Sequence, residues 1–185
     1  LMKNDQLLKM FPMFQEIADD DLRSRAMNAM SLAMEKGGWN AENISLCPVT
    51  MNWKSCDVSW VEHVTDVAVL CSMEYEVLSR YYVRHGVPFS RDIVICGALL
   101  HDIGKLTEFT CVEDRVEHST NYELMRHPLS GAIIAAQAAL PDSLVHLIAT
   151  HSFEGERSYQ TAESAFVRSI DIFAFNCAVR GLEKK

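Results

Sequence analysis

Ile93-Val94-Ile95-Cys96-Gly97-Ala98-Leu99-Leu100-His101-Asp102 is the stretch that decides the fold: eight residues without a charge, then an imidazole and a carboxylate side by side. A helix apolar on every side has no face for water, so it belongs at the buried centre of a helical domain. Ser90 can cap its start. The helix then carries His101 and Asp102 to the interior, where a charge needs a partner or a metal.

The flanking sequence reads as helices packed around this one. Upstream, Ser59-Trp60-Val61-Glu62 is a capping box, which starts a helix through His63, Val67, Leu70 and Leu78 that ends near Gly86 and Pro88. Further back, Leu7, Leu8, Phe11, Phe14 and Ile17 share a helical face. Asp19 to Asp21 cap a helix with Leu22, Ala26, Met30, Leu32 and Ala33, stopped at Gly37-Gly38. Residues 39–58 hold Trp39, Pro48 and Trp53 without a period and read as an irregular connection. Downstream, 107–120 alternate loosely around Glu113-Asp114, as a small hairpin or flap would. Pro128 suits the first turn of a helix through Ile133, Ile134 and Leu140, and Pro141-Asp142-Ser143 start another that ends at His151. After the polar loop 152–160, a last helix runs from about Thr161 to Val179 with Asp171 between Ile170 and Ile172. The expected fold class is all-α: a single-domain helical bundle with a small hairpin at 107–120. Residues 1–58 would form an N-terminal helical extension packed on the core, and 59–185 the metal-binding helical domain.

Composition narrows the function. The 185 residues suffice for one domain, and 49% apolar with 23% charged is ordinary for a globular chain. No run of about 18 apolar residues exists to span a membrane, and no hydrophobic leader opens the sequence, so a cytoplasmic protein is expected. The net charge of −8 and the lack of a basic cluster speak against a nucleic-acid polymer as partner. Asp19-Asp20-Asp21 reads as a helix start and Glu183-Lys184-Lys185 as a solvated tail. The six cysteines have no C-x-x-C spacing and read as reduced thiols acting as small hydrophobes. Oligomeric state is left open, and an oligomer is compatible with all of this.

His63 lies 38 residues before His101, while His127, His151 and Asp171 follow it by 26, 50 and 70. Singly, these residues have ordinary readings: a hydrogen-bonded core histidine, a helix cap beside Pro128, a helix-end cation. Together, six nitrogen and oxygen ligands in the order H…HD…H…H…D are what a two-metal site needs. Adjacent helical residues diverge by about 100°, so His101 and Asp102 serve one metal only at a helix end or by reaching round from two sides. A bridging Asp102 solves this, with His63, His101 and Asp171 on one metal and His127 and His151 on the other. Such ligands suit two divalent transition-metal ions, Fe or Mn first and Co, Ni or Zn next, rather than Ca. His85, His118 and His146 have ordinary surface or capping roles.

The pattern His63…His101-Asp102…His127…His151…Asp171 resembles the HD-domain superfamily of metal-dependent phosphohydrolases. His101-Asp102-Ile103-Gly104-Lys105 resembles the HDIGK segment of its two-metal phosphodiesterase branch, and His127-Pro128-Leu129-Ser130-Gly131 that branch's HPxxG helix start. The likeness covers roughly residues 59–180. Cyclic-dinucleotide-cleaving members carry a double histidine and a GYP triplet where this chain has His151-Ser152-Phe153-Glu154-Gly155-Glu156, which speaks against cyclic di-GMP. The resemblance implies an HD-type bundle hydrolysing a nucleotide or other small phosphoester, as monoester or diester, with a hydroxide bridging the metals. Within that scheme Asp102 bridges, Lys105 stabilises the added negative charge, and Glu154 gives a proton to the leaving group. A diiron mixed-valent oxygenase cleaving a C–C or C–P bond would use the same six ligands. The third reading is a non-catalytic ligand-sensing domain.

Overall fold

The computed structural model describes residues 4–120 and 122–185. The first three residues of the expected N-terminal extension lie outside these. The helices are α1 (Asn4–Met10), α2 (Asp20–Gly37), α3 (Trp60–Arg84), α4 (Arg91–Leu100), α5 (Lys105–Glu108), α6 (His127–Gln137), α7 (Asp142–Thr150) and α8 (Ala162–Val179). A short antiparallel pair, β1 (Phe109–Val112) with β2 (Arg115–His118), completes the mostly helical fold, in the register Phe109 opposite His118. Glu113 and Asp114 both take positive φ between the strands, as a two-residue hairpin turn of matching twist requires.

Side-chain caps set the starts of α2, α3, α4 and α8. The Asp19 carboxylate accepts from the N–H groups of Asp21 and Leu22, and Ser59 and Glu62 form the reciprocal capping box. Gly38 ends α2 in the left-handed conformation, φ +74°. Two readings depart from expectation: the apolar face from Leu7 to Ile17 is split, α1 ending at Met10 and a 3₁₀ turn running Pro12–Glu16, and α6 stops at Gln137, because Ala139 adopts φ +55° and turns the chain before Leu140.

Helix α4 is the centre, packed against α3, α7, α8 and the 3₁₀ turn Pro12–Glu16. Val94 to Leu100 are all buried, and Gly97 permits the approach of α7: a Cβ there would stand 2.5 Å from Leu147 Cδ1. Leu7, Phe11, Phe14 and Ile17 join the same hydrophobic cluster as the α4 residues. Glu183 to Lys185 are exposed, as expected of a solvated tail, but they are tied down: Lys184 bridges to Trp53, Lys54 N–H donates to Glu183 O and Lys185 N–H to Asn52 O, so this segment pairs with the irregular connection. No helix among the described residues is long and apolar enough to cross a membrane.

Candidate metal centre

Five elements bring the six expected ligands together. His63 comes from the first turn of α3, His101 and Asp102 from just past α4, His127 from the first residue of α6, His151 from the end of α7 and Asp171 from the middle of α8. Helix α4 stops at Leu100, and Ile103 N–H turns back to Leu100 O in a tighter turn. That turn resolves the divergence of neighbouring helical side chains. The Trp60 indole N–H donates to Asp102 O at 3.0 Å and ties α3 to the same turn.

Gly104 is the tightest point of this arrangement. A Cβ there would fall 2.0 Å from the His127 carbonyl oxygen, a backbone atom that cannot swing aside. Gly104→Ala is therefore expected to destabilise the protein by about 2–3 kcal/mol and to displace His127. Chemical denaturation beside a metal titration checks both effects; unchanged values for both would refute the packing argument.

The ligands form two groups of three, with Asp102 facing both. His63, His101 and Asp171 offer mutually close ligand atoms, and so do Asp102, His127 and His151. Asp102 Oδ2 lies 3.7 Å from His63 Nε2 and 3.6 Å from His101 Nε2, whereas Oδ1 lies 3.4 Å from His127 Nε2 and 3.3 Å from His151 Nε2. The side chains are 3% exposed at Asp102, 1% at His151 and 15% at Asp171, so the first group opens slightly toward α8.

Proton accounting favours a cation here. His151 Nδ1 donates to Ile148 O at 2.8 Å and His101 Nδ1 to Ala98 O at 2.7 Å, because a carbonyl only accepts. In a neutral ring the Nε2 lone pair then points inward. The His151 lone pair faces a carboxylate oxygen, and His101 Nε2 faces His63 Nε2 at 3.4 Å. Acceptors this close need a proton or a metal between them, and backbone-held imidazoles with Nε2 free are ready ligands. The residues fit a pair of divalent ions.

The same contacts move the titrations. Burial alone would raise the Asp102 carboxyl, but Lys105, His101, His151 and His127 together hold it well below the ordinary range. Asp171 is depressed likewise, the effect of burial outweighed by His101 and His63. Burial lowers His63 and His127. At His101 burial also works downward, but Asp102 and Asp171 outweigh it and the net shift is upward. In the metal-free protein the carboxylates stabilise the fold above their unfolded value of about 4, and lose that contribution as pH falls through the depressed folded value. His63 and His127 stay neutral where the unfolded chain is already protonated, so they weaken the fold as pH falls through about 6.5, while His101 stabilises below that value and loses its contribution as pH rises through its raised one. Because the imidazoles must be neutral to bind a metal, added Mn should raise the melting temperature more at pH 7 than at about pH 5. A flat thermal-shift profile would contradict this.

Lys105 begins α5, beyond the end of the central helix, and still reaches back. Its ammonium donates to Asp102 Oδ2 at 2.6 Å and to Val49 O at 2.8 Å. Glu154 sits at the rim, accepting from Arg126 Nε at 3.2 Å and from the Ser152 hydroxyl. Partial burial would raise its carboxyl, but Ser152 and Arg126 prevail and hold it below its usual value. These contacts favour its charged form.

Glu108 was missed by the sequence reading. Its side chain is 2% exposed, and Oε1 accepts the His127 N–H at 2.6 Å and pairs with Arg126 Nη1 at 2.9 Å. It also lies 3.5 Å from His127 Nδ1, a buried nitrogen without a hydrogen-bond partner among the described residues. In sequence Glu108 is one more acid at the start of a polar stretch, and only its position one turn past Lys105 hints at a site role. His118, set aside as a surface residue, lies in the wall of an outer cleft against Tyr122. His85 and His146 stay away, His146 bonding to Tyr159 O.

The centre opens into a cavity of about 280 Å³ lined by Asp102, Lys105, His127, His151, Arg168 and Asp171. It shares Lys105, His127, Ser152, Phe153 and Phe175 with the outer cleft of about 400 Å³, which holds Trp53, Tyr122, Arg126 and Lys184.

The HD domain family matches residues 60–176, a span that begins at α3 and holds all six candidate ligands. The chain belongs to that family. This HD domain is also similar to the dihydroneopterin 2′,3′-cyclic phosphate phosphodiesterase of Methanocaldococcus jannaschii, 25% identical over 148 residues, or 77% of this chain and 58% of the relative. The matched part thus spans under two thirds of that relative's length. No solved structure matches the chain.

Proposed function

We propose that this HD domain is a metal-dependent phosphohydrolase acting on a small phosphoester. The observation that carries this reading is Asp102, buried where the two candidate ligand groups meet, one oxygen toward His63 and His101 and the other toward His127 and His151. His63, His101 and Asp171 with Asp102 Oδ2 would hold one ion, and His127 and His151 with Asp102 Oδ1 the other. Bound there, two divalent ions supply an activated water and neutralise charge on the phosphoryl oxygens.

The chain's own residues do the rest. Lys105 orients the Asp102 carboxylate and keeps it ionised. Two of its three N–H groups are engaged, and the third is free to meet a phosphoryl oxygen in the cavity. Glu108 and Arg126 set the first turn of α6 and with it the His127 ring. Glu154 acts in its charged form, placing Ser152 and Arg126 at the rim. The relative's activity on a cyclic phosphodiester makes a phosphodiester the first substrate to try.

Elemental analysis of protein purified without added metal or chelator, with phosphomonoesters and cyclic and linear phosphodiesters assayed on the same sample, tests the reading. About two ions of Mn, Fe, Co, Ni or Zn per chain with phosphoester turnover is the expected result. Two Fe per chain, no phosphoester turnover and an oxygen-sensitive mixed-valent signal would overturn it in favour of an oxygenase.

A further inference from the structure

Arg168 stands one helical turn before Asp171 on α8 and lines the inner cavity beside Asp102, Lys105, His127 and His151. It is half-buried, and its Nε is enclosed without a hydrogen-bond partner among the described residues. None of the carboxylates among those residues forms an ion pair with its guanidinium either. A buried donor left unpaired is costly, so one that persists calls for a partner that comes and goes. The other two cations near the centre are already engaged: Lys105 with Asp102 and Val49, Arg126 with Glu108 and Glu154.

We propose that Arg168 is a phosphate-binding residue, its guanidinium pairing with non-bridging oxygens of a phosphoryl group held in the inner cavity. The inference rests on the phosphohydrolase reading and adds a residue that neither the ligand pattern nor the HDIGK segment contains. Charge explains the choice of position. Two divalent ions on two carboxylates leave the centre positive even before Lys105 is counted, so a further fixed cation beside it is tolerated only where an anion arrives between them. A phosphoryl group is that anion, and the planar fork of a guanidinium matches two of its oxygens at once. Arginine also stays charged at every working pH, so the contact does not depend on proton uptake at the site.

The test uses the full chain loaded with Mn, as wild type, Arg168→Gln and Arg168→Lys. Inorganic phosphate binding is read from calorimetry and from the broadening of its phosphorus resonance by bound Mn. Steady-state turnover of bis(p-nitrophenyl) phosphate, metal content and melting temperature are measured on the same samples. Both variants are expected to keep both ions and the wild-type melting temperature. Arg168→Gln should weaken phosphate binding and raise KM by roughly 10- to 100-fold, and Arg168→Lys should recover part of that loss. Wild-type phosphate affinity in Arg168→Gln overturns the inference and leaves the hydrolase reading intact. Loss of an ion from Arg168→Gln also overturns it, because Arg168 would then serve Asp171. A wild type that carries two ions yet neither binds phosphate nor turns over the ester overturns both.

Discussion

Asp102→Asn should empty both ion positions at once. The substitution keeps the shape of the side chain and leaves one carbonyl oxygen, but replaces the other oxygen with an amide that only donates. Since Oδ1 faces His127 and His151 while Oδ2 faces His63 and His101, both groups lose the carboxylate they share: the His127 side is left with no anionic ligand and the His63 side with Asp171 alone. Metal content is expected to fall from about two per chain to well below one, and phosphoester turnover by about a thousandfold or more. His63→Ala is the informative contrast, because it touches one group and should cost one ion. Lys105 loses its carboxylate in Asp102→Asn, which costs the fold about 2 kcal/mol and leaves it intact. Elemental analysis and turnover on both variants decide the matter. An Asp102→Asn protein that still holds two ions would show that Asp102 does not bridge.

Glu108→Ala carries the second-largest expected effect, although Glu108 belongs to neither ligand group. Its removal strips the His127 N–H and the Arg126 guanidinium of their common acceptor. The α6 N-terminus then loses the anchor that aims the His127 ring. Affinity for the ion on the His127 side should fall roughly 10- to 100-fold, as for other residues that orient ligands from behind. Affinity at the His63 side should hold. Glu108→Gln keeps an oxygen for the His127 N–H and should lose less. Metal titration resolves two steps in the wild type, and the expected pattern is a shift of one step only. Equal weakening of both steps would mean that Glu108 supports the fold at large.

Much of the helical layout was legible because caps and periodicity are local. The Asp19 and Ser59 caps, the Glu62 return bond, the apolar run before His101 and the Gly38 stop each act within a few residues, so sequence order already contains them. The hairpin at Glu113-Asp114 was legible for the same reason. What escaped is contact between segments far apart in the chain. The pairing of the C-terminal Glu183 and Lys185 with residues 52–54 leaves no local signal, because either strand alone is a short polar stretch. Glu108 escaped likewise. Its partners Arg126 and His127 are 18 and 19 residues away, and nothing in the composition near it marks a buried acid.

By itself the sequence determined the all-helical class, the buried central helix and the identity of the six residues that converge, because hydrophobic pattern, capping chemistry and ligand type are properties of residues and their neighbours. The tertiary structure alone decided which oxygen of Asp102 faces which histidines, that Glu154 meets Arg126 and Ser152, and that Lys105 is engaged while Arg168 has no ion-pair partner among the described residues. Those outcomes depend on distances among helices α3, α4, α6, α7 and α8. The distances follow from packing, such as the contact of Gly104 with the His127 carbonyl, and from the local field that assembled charges create.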